Sequence, residues 1–283
     1  MRAAMDPNTM QALCKRMRRE VIRAIHSVQT GHPGGSLSCC EILCALYFAH
    51  ANISPENWLD PGRDKIILSK GHAAPMLYRI LAEKGFFPPA EMATLRQLNS
   101  RLQGHPYPEK TPGVEVPSGP LGIAYGAALG IAMADRILGR TRCRTYAVLG
   151  DGELNEGCVW ETTMAASKFC ACNLITIVDR NGVQLDGTCC EIMPMGDLEA
   201  KFRAFGFHVL TCDGHSVSEL VEMLETARDD HQKPTVILAN TVKGKGVSFM
   251  EGKNIWHGRP IDDAHYQIAM NELKEDANDS VNS

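Results

Sequence analysis

The chain has 283 residues, 44% hydrophobic and 22% charged, the proportions of an ordinary globular protein with a substantial core. Its formal charge of −4 argues against a nucleic-acid partner, which takes a basic excess. No run of about 18 apolar residues exists to span a membrane, and Arg2, Lys15, Arg16, Arg18 and Arg19 accompany no apolar signal-peptide core, so the expected compartment is the cytoplasm.

In chain order, residues 9–28 read as a helix, with Leu13, Met17, Val21, Ile22 and Ile25 at helical spacing. Residues 30–35 (Thr-Gly-His-Pro-Gly-Gly) form a loop by composition. Ser38-Cys39-Cys40-Glu41 has the form of a capping box, with Ser36 a rival cap, and opens a helix through Ile42, Leu43, Leu46, Tyr47 and Phe48. A short strand is expected at 64–68, then a loop, Ser69-Lys70-Gly71-His72, and helices at 73–84, ending on Gly85, and at 89–99. A long Gly- and Pro-rich loop covers 103–120. Residues 122–138 read as a helix of small residues, including Gly126, Ala127, Ala128 and Gly130, that is expected to lie centrally.

Thereafter strands and helices alternate. Strands are predicted at 144–149, 174–178, 207–212 and 235–239, and helices at 155–169 and 197–205 and from the capping box Ser216-Val217-Ser218-Glu219 to about 229. Continuous apolar strands separated by helices predict an α/β fold: a parallel sheet with helices on both faces and a helical N-terminal region. Residues 1–275 are expected to form one domain and 276–283 a frayed polar tail. The eleven cysteines show no Cys-x-x-Cys spacing and read as free thiols, many of them small buried hydrophobes.

The chemistry concentrates where two predicted strands end. Ala147-Val148-Leu149 leads into Gly150-Asp151-Gly152, and the next strand leads into Asp179-Arg180-Asn181-Gly182-Val183. Ligands of open α/β sheets bind at the carboxyl ends of the strands, where glycines permit close backbone approach and a helix N-terminus offers N–H groups to a phosphate. A carboxylate beside a phosphate repels it unless a cation lies between, and magnesium commonly takes one or two carboxylates plus phosphate oxygens. Each segment alone reads as an ordinary turn; together, at neighbouring strand ends, Asp151 and Asn181 point to one shared cation.

Gly150-Asp151-Gly152 through Asn181 resembles the diphosphate-binding motif of thiamine-diphosphate enzymes. Six further segments, in the same order, are similar to transketolases: Thr30-Gly31-His32-Pro33-Gly34-Gly35-Ser36, Ser69-Lys70-Gly71-His72-Ala73, Gln103-Gly104-His105-Pro106, Ser118-Gly119-Pro120-Leu121-Gly122, Thr241-Val242-Lys243-Gly244-Lys245-Gly246 and Trp256-His257-Gly258. The resemblance runs over about residues 10–275.

By this resemblance Asp151, Asn181 and the carbonyl of Val183 hold a divalent cation, Mg2+ or another such as Ca2+ or Mn2+. His72, Gly152 and His257 meet the cofactor diphosphate or its surroundings; Gly119, Pro120 and Leu121 line the aminopyrimidine and thiazolium; Lys70 and Lys243 are weaker candidates for the anionic region. Glu156 matches a carboxylate of a network across the family's dimer interface, its plain reading being a glutamate that complements the helix dipole. His32, His105 and His257 face the substrate. Histidines suit ketol transfer, which moves protons on and off sugar hydroxyls near neutral pH.

The implied activity is transfer of a two-carbon ketol unit from a ketose phosphate to an aldose, the chemistry of pentose phosphate and wider carbohydrate metabolism. The matched segments all belong to the first of the three domains of a transketolase. The implied partner is therefore a C-terminal subunit carrying the pyrimidine-binding domain, with self-association to a heterotetramer. The alternatives are a half of a dihydroxyacetone synthase or deoxyxylulose-phosphate synthase, or a non-catalytic cofactor-binding subunit. Ile123-Ala124, where the family has Gln-Gly, and Arg180, before Asn181, depart from the pattern and bear on the shape of the pocket.

Overall fold

The computed structural model describes residues 6–230 and 232–274; the polar tail expected at 276–283 lies outside them. Helix α1 (Pro7–Val28) starts on Asp6, whose carboxylate accepts from Thr9 N, with Pro7 in the first turn where its missing N–H is harmless. Then come α2 (Pro33–Ser38), α3 (Cys40–Cys44, continued by a π-helical turn Ala45–His50), β1 (Lys65–Leu68), α4 (Ala74–Lys84) and α5 (Ile123–Ile137). The alternating part holds β2 (Thr145–Gly150), α6 (Gly157–Lys168), β3 (Leu174–Arg180), α7 (Cys189–Ile192), α8 (Leu198–Ala204), β4 (His208–Asp213), α9 (Val217–Asp229), β5 (Thr235–Asn240) and α10 (Asp263–Glu272).

The five strands form one parallel sheet in the order β1-β2-β3-β5-β4. Strand periodicity splits its side chains between two cores. Ile66, Leu68, Tyr146, Val148, Ile175, Ile177 and Ile237 face a core shared with α1, α3, α4 and α9. Ile67, Ala147, Leu149, Leu174, Val178, Val236 and Leu238 face a second core with α5, α6 and α8. Burial on both faces is what the continuous apolar runs demand.

Several local expectations are corrected. The loop expected at 30–35 closes early: α2 already begins at Pro33, and Ser36 lies inside it, its N–H donating to His32 O. The Ser38–Glu41 capping box does not form, because tertiary partners take both side chains. Ser38 Oγ donates to Asp179 at 2.6 Å, and Glu41 binds the Arg18 guanidinium at 2.5 and 2.6 Å. The helix expected at 89–99 is a 3-10 segment, Pro89–Thr94, which stops before Arg96 and Asn99 adopt φ of 59° and 64°. The small-residue helix α5 is not central. Ala124, Ala128 and Ala132 bury against the sheet, while Gly126, Ala127 and Gly130 are exposed. Helix α7, with its Thr188/Glu191 capping box, and α10 carry no expectation from the sequence.

Candidate active site

Four adjacent parallel strands deliver the site from their carboxyl ends. Lys70 follows β1, Asp151 follows β2, Asn181 follows β3 and Lys243 follows β5. The β2–β3 register pairs Gly150 with Asp179, and Asp151 N donates to Asp179 O at 3.2 Å, so Asp151 and Asn181 come together despite their separation in sequence. The strand ends and surrounding loops enclose a cleft of about 270 Å³. It is lined by the expected Lys70, His72, Gly119, Leu121, Asp151, Gly152, Asn181, Val183, Lys243 and His257.

Asp151 is buried. Its carboxylate accepts from Gly152 N at 2.9 Å and Gly182 N at 2.5 Å, which pins the Asn181–Gly182 turn, with Gly182 at φ 75°, under the end of β2. Burial, then the neighbouring Asp179, push Asp151 up to about 6, against those hydrogen bonds. Asn181 Oδ1 lies 3.1 Å from Val183 N, and the Val183 carbonyl accepts from Lys243 Nζ at 2.9 Å. Carboxylate, amide and carbonyl oxygens form a hard donor set of the kind magnesium and calcium take. The carboxylate's raised proton affinity marks a negative charge that the protein leaves poorly compensated there.

The histidines converge. The His32 ring lies 5.5 Å from His72, 5.4 Å from His257 and 6.4 Å from His105, and His72 lies 4.9 Å from His257. His72 and His257 reach the cleft, and His32 and exposed His105 extend the row outward. Burial and neighbouring cations depress all four: His32 to about 4 beside Arg96, His257 to about 3 beside Lys243, and His72 and His105 also downward. They are neutral imidazoles at pH 7, able to accept or donate one proton each. Gly35 makes room for the row: a Cβ there would lie 2.8 Å from His72 Nε2.

The two lysines differ. Lys70 is fully buried and its ammonium is bound to Asp179, to Gly35 O at 2.9 Å and to Ser38 Oγ at 3.3 Å, so its charge is directed into the protein. Lys243 bridges Val183 O and His257 Nδ1, each at 2.9 Å, and burial with Lys70 nearby lowers it to about 8.

Two expected residues stand apart. Pro120 is exposed and Glu156, at the N-terminus of α6, is exposed too; neither lines the cleft. The glutamate that does line it is Glu153, to which no sequence signal pointed. It is buried and accepts from Ser69 Oγ, Gly122 N and Gly150 N at 2.5, 2.7 and 3.1 Å. Asp179 was missed likewise, although an acidic residue ending the apolar run 174–178 is a visible signal. Gly150, Gln184, Leu185 and Asp186 complete the lining. Of the three departures from the family pattern, Arg180 and Ile123 are exposed, Ala124 is buried in the second core, and none lines the cleft.

Residues 9–280 match the family described as transketolase, thiamine diphosphate binding domain. The chain is 41% identical over 260 residues to the 6-deoxy-6-sulfo-D-fructose transketolase subunit SqwG of Clostridium sp. (strain MSTE9), covering 92% of this chain and 94% of that one. It is 39% identical over 268 residues to a subunit of the apulose-4-phosphate transketolase of Actinobacillus succinogenes, covering 94% and 96%. The solved transketolase of Campylobacter jejuni superposes with a TM-score of 0.89 at 30% identity over 96% of this chain, which spans only 44% of that longer one. Family match, subunit-length relatives and shared sheet agree: the chain belongs to the transketolase family and carries its thiamine diphosphate-binding domain.

Proposed function

We propose that this chain is the diphosphate-binding subunit of a two-subunit transketolase, acting only with a partner that supplies the pyrimidine-binding domain. The carrying observation is the convergence of Asp151, Asn181 and Val183 with His72 and His257 around one cleft, and of His32 and His105 with that pair. In this reading Asp151, Asn181 and the Val183 carbonyl hold a divalent cation, Mg2+ in the first place, which neutralises Asp151 and carries the cofactor diphosphate. Gly152, His72 and His257 lie along the diphosphate, and Gly119 and Leu121 against the rings, with Pro120 beside them. Bound thiamine diphosphate supplies the carbanion chemistry of ketol transfer.

The residues of this chain hold and move protons. Lys243 Nζ, 2.9 Å from His257 Nδ1, fixes that nitrogen as the acceptor and leaves Nε2 to carry the proton towards the cleft. Arg96 Nη2, 3.2 Å from His32 Nδ1, does the same for His32. His32, His105 and His257 then offer N–H groups to the sugar oxygens of a ketose phosphate and of the aldose acceptor. Lys70 acts through Asp179 rather than on the anion, and Glu156 is free to meet a partner chain.

Two observations support the partner. Relatives matched over 94% and 96% of their length are named as subunits. Ile123, Ile137, Leu138, Met164 and Phe169 leave exposed apolar surface on α5, on α6 and just beyond them, of the kind that marks an interface. A heterotetramer of two such pairs satisfies both. Among the described residues no helix is long and apolar enough to cross a membrane, and we place the assembly in the cytoplasm.

The test is reconstitution. The purified chain with thiamine diphosphate and magnesium should turn over no ketose phosphate, and addition of a pyrimidine-domain subunit should restore ketol transfer. Robust activity of the chain alone sinks the two-subunit reading. His32→Ala and His257→Ala should each lower kcat/KM of the assembled complex at least about 100-fold; unchanged transfer in both removes the histidines from the substrate face.

A further inference from the structure

Away from the cleft, the first core gathers three thiols that sequence spacing does not connect. Cys14 lies on α1, and Cys40 and Cys44 lie one turn apart on α3. All three are 0% exposed, none is in a disulfide, and their sulfurs lie within 4.8 Å of one another. Among the described residues no other group of three or more His, Cys, Asp or Glu side chains converges so closely.

We propose that Cys14, Cys40 and Cys44 form a three-sulfur binding site for a soft monovalent metal ion, copper(I). Three sulfurs around a metal at about 2.3 Å stand about 4 Å apart in trigonal geometry, within the spacing found. Soft thiolates select copper(I), zinc or iron–sulfur clusters. Structural zinc takes four ligands, and the carboxylate next in sequence, Glu41, is already held by Arg18 at 2.5 and 2.6 Å and by His215 Nδ1 at 2.9 Å. The sulfurs therefore offer three soft donors and no fourth ligand, which excludes hard cations and disfavours zinc.

The surroundings hold the three sulfurs together. The Cys40 thiol donates to the Cys14 carbonyl oxygen at 3.4 Å, which ties α3 to α1 at the cluster. The buried Arg18–Glu41 ion pair joins the same two helices. Coordination by all three sulfurs displaces their thiol protons to solvent, with no change in the oxidation state of sulfur or metal. A cavity of about 400 Å³ bordered by Ala12, Lys15, Arg18 and Glu41 brings solvent to the chain neighbours of Cys14 and Cys40.

The competing reading is that these cysteines merely pack as small hydrophobes, and the two readings separate in one experiment. The reduced full chain, kept anaerobic, is titrated with copper(I) against bathocuproine disulfonate, once as folded protein and once with the ion present during refolding. One equivalent should resist the chelator, with sulfur-only coordination by X-ray absorption. Cys14→Ala and Cys44→Ala should each weaken retention at least tenfold, with unchanged circular dichroism. The double variant of the exposed thiols, Cys170→Ser/Cys190→Ser, should keep the ion and serves as the variant that does not disturb the core. No retained equivalent in the wild-type chain under either loading, retention undiminished in folded Cys14→Ala and Cys44→Ala, or loss in the exposed-thiol variant overturns the site.

Discussion

At the scale of single residues, the protonation of Asp151 against that of the histidines governs how the cleft responds to pH. The Asp151 carboxyl is raised from 3.8 to about 6, whereas His32 and His257 are lowered to about 4 and about 3. The raised carboxyl binds its proton in the folded state before the unfolded one does. Its contribution to the stability of the cation-free fold therefore grows as pH falls from about 6 towards 3.8. Cation binding runs the other way, because it requires the ionised form. Calorimetric titration of magnesium thiamine diphosphate should show affinity falling about fourfold from pH 7.5 to pH 5.5, a window in which folded His32 and His257 stay neutral. Asp151→Asn should abolish that dependence and weaken binding by more than about 100-fold, beyond the range of outer-shell changes. Affinity independent of pH in the unmodified chain would remove Asp151 from the cation.

Elements set these residues in place through a few buried contacts. Lys70 after β1, Asp179 at the end of β3, Thr241 after β5 and Ser38 on α2 form one network, with Asp179 at its centre. Asp179→Ala leaves the Lys70 ammonium buried without its carboxylate. Urea unfolding should show a loss of about 3–5 kcal/mol, the usual penalty for breaking a buried ion pair from one side; a loss below about 1 kcal/mol would mean the pair behaves as if solvated. Gly35→Ala tests the contact of α2 with the histidine row. Alanine suits a helix better than glycine, but its Cβ would sit 2.8 Å from His72 Nε2. The variant should keep its secondary structure and lose about tenfold in cofactor affinity, equivalent to about 1.4 kcal/mol, because the ring must turn away. Unchanged affinity would show that His72 is not needed where it stands.

On the scale of the whole molecule, the sheet buries both faces while α5 and α6 keep an apolar outer side. Ile123, Ile137 and Met164 are 61, 81 and 58% exposed, more large apolar surface than solvation alone favours. Met164→Asp should leave the monomer fold intact, since that side chain supports neither core, and should shift the reconstituted assembly towards smaller species in sedimentation velocity. Unaltered sedimentation would place the interface elsewhere.

Much of this was legible in the residues. The central strands β2, β3 and β5 were placed by continuous apolar runs and β1 by a shorter one, since a strand buried on both faces has no other composition open to it; the edge strand β4, half-exposed, was placed by the mixed run 207–212. The motif Gly150-Asp151-Gly152 with Asn181 located the cleft, because a charge at the end of a buried strand needs a partner there. The rest depended on neighbours distant in the chain. Ser38 and Glu41 lost their capping role to Asp179 and Arg18, bonds that local spacing cannot anticipate. Lys70 read as a residue for the anionic region, and only packing turned its ammonium onto Asp179. The choice between Glu153 and Glu156 was likewise tertiary: the 3-10 turn Gly152–Asn155 directs the first onto Gly122 and Ser69 and leaves the second in solvent.

The sequence by itself determined the layered α/β architecture, the family and the strand ends at which chemistry concentrates, because hydrophobic periodicity and short glycine-flanked motifs are local properties of the chain. Only the tertiary structure decided which carboxylates reach the cleft, how the histidines share one space, which lysine keeps its charge available and that Cys14, Cys40 and Cys44 meet. Those outcomes are set by burial and by charge pairing between segments far apart in sequence, where desolvation makes each buried group take whichever partner the packing supplies.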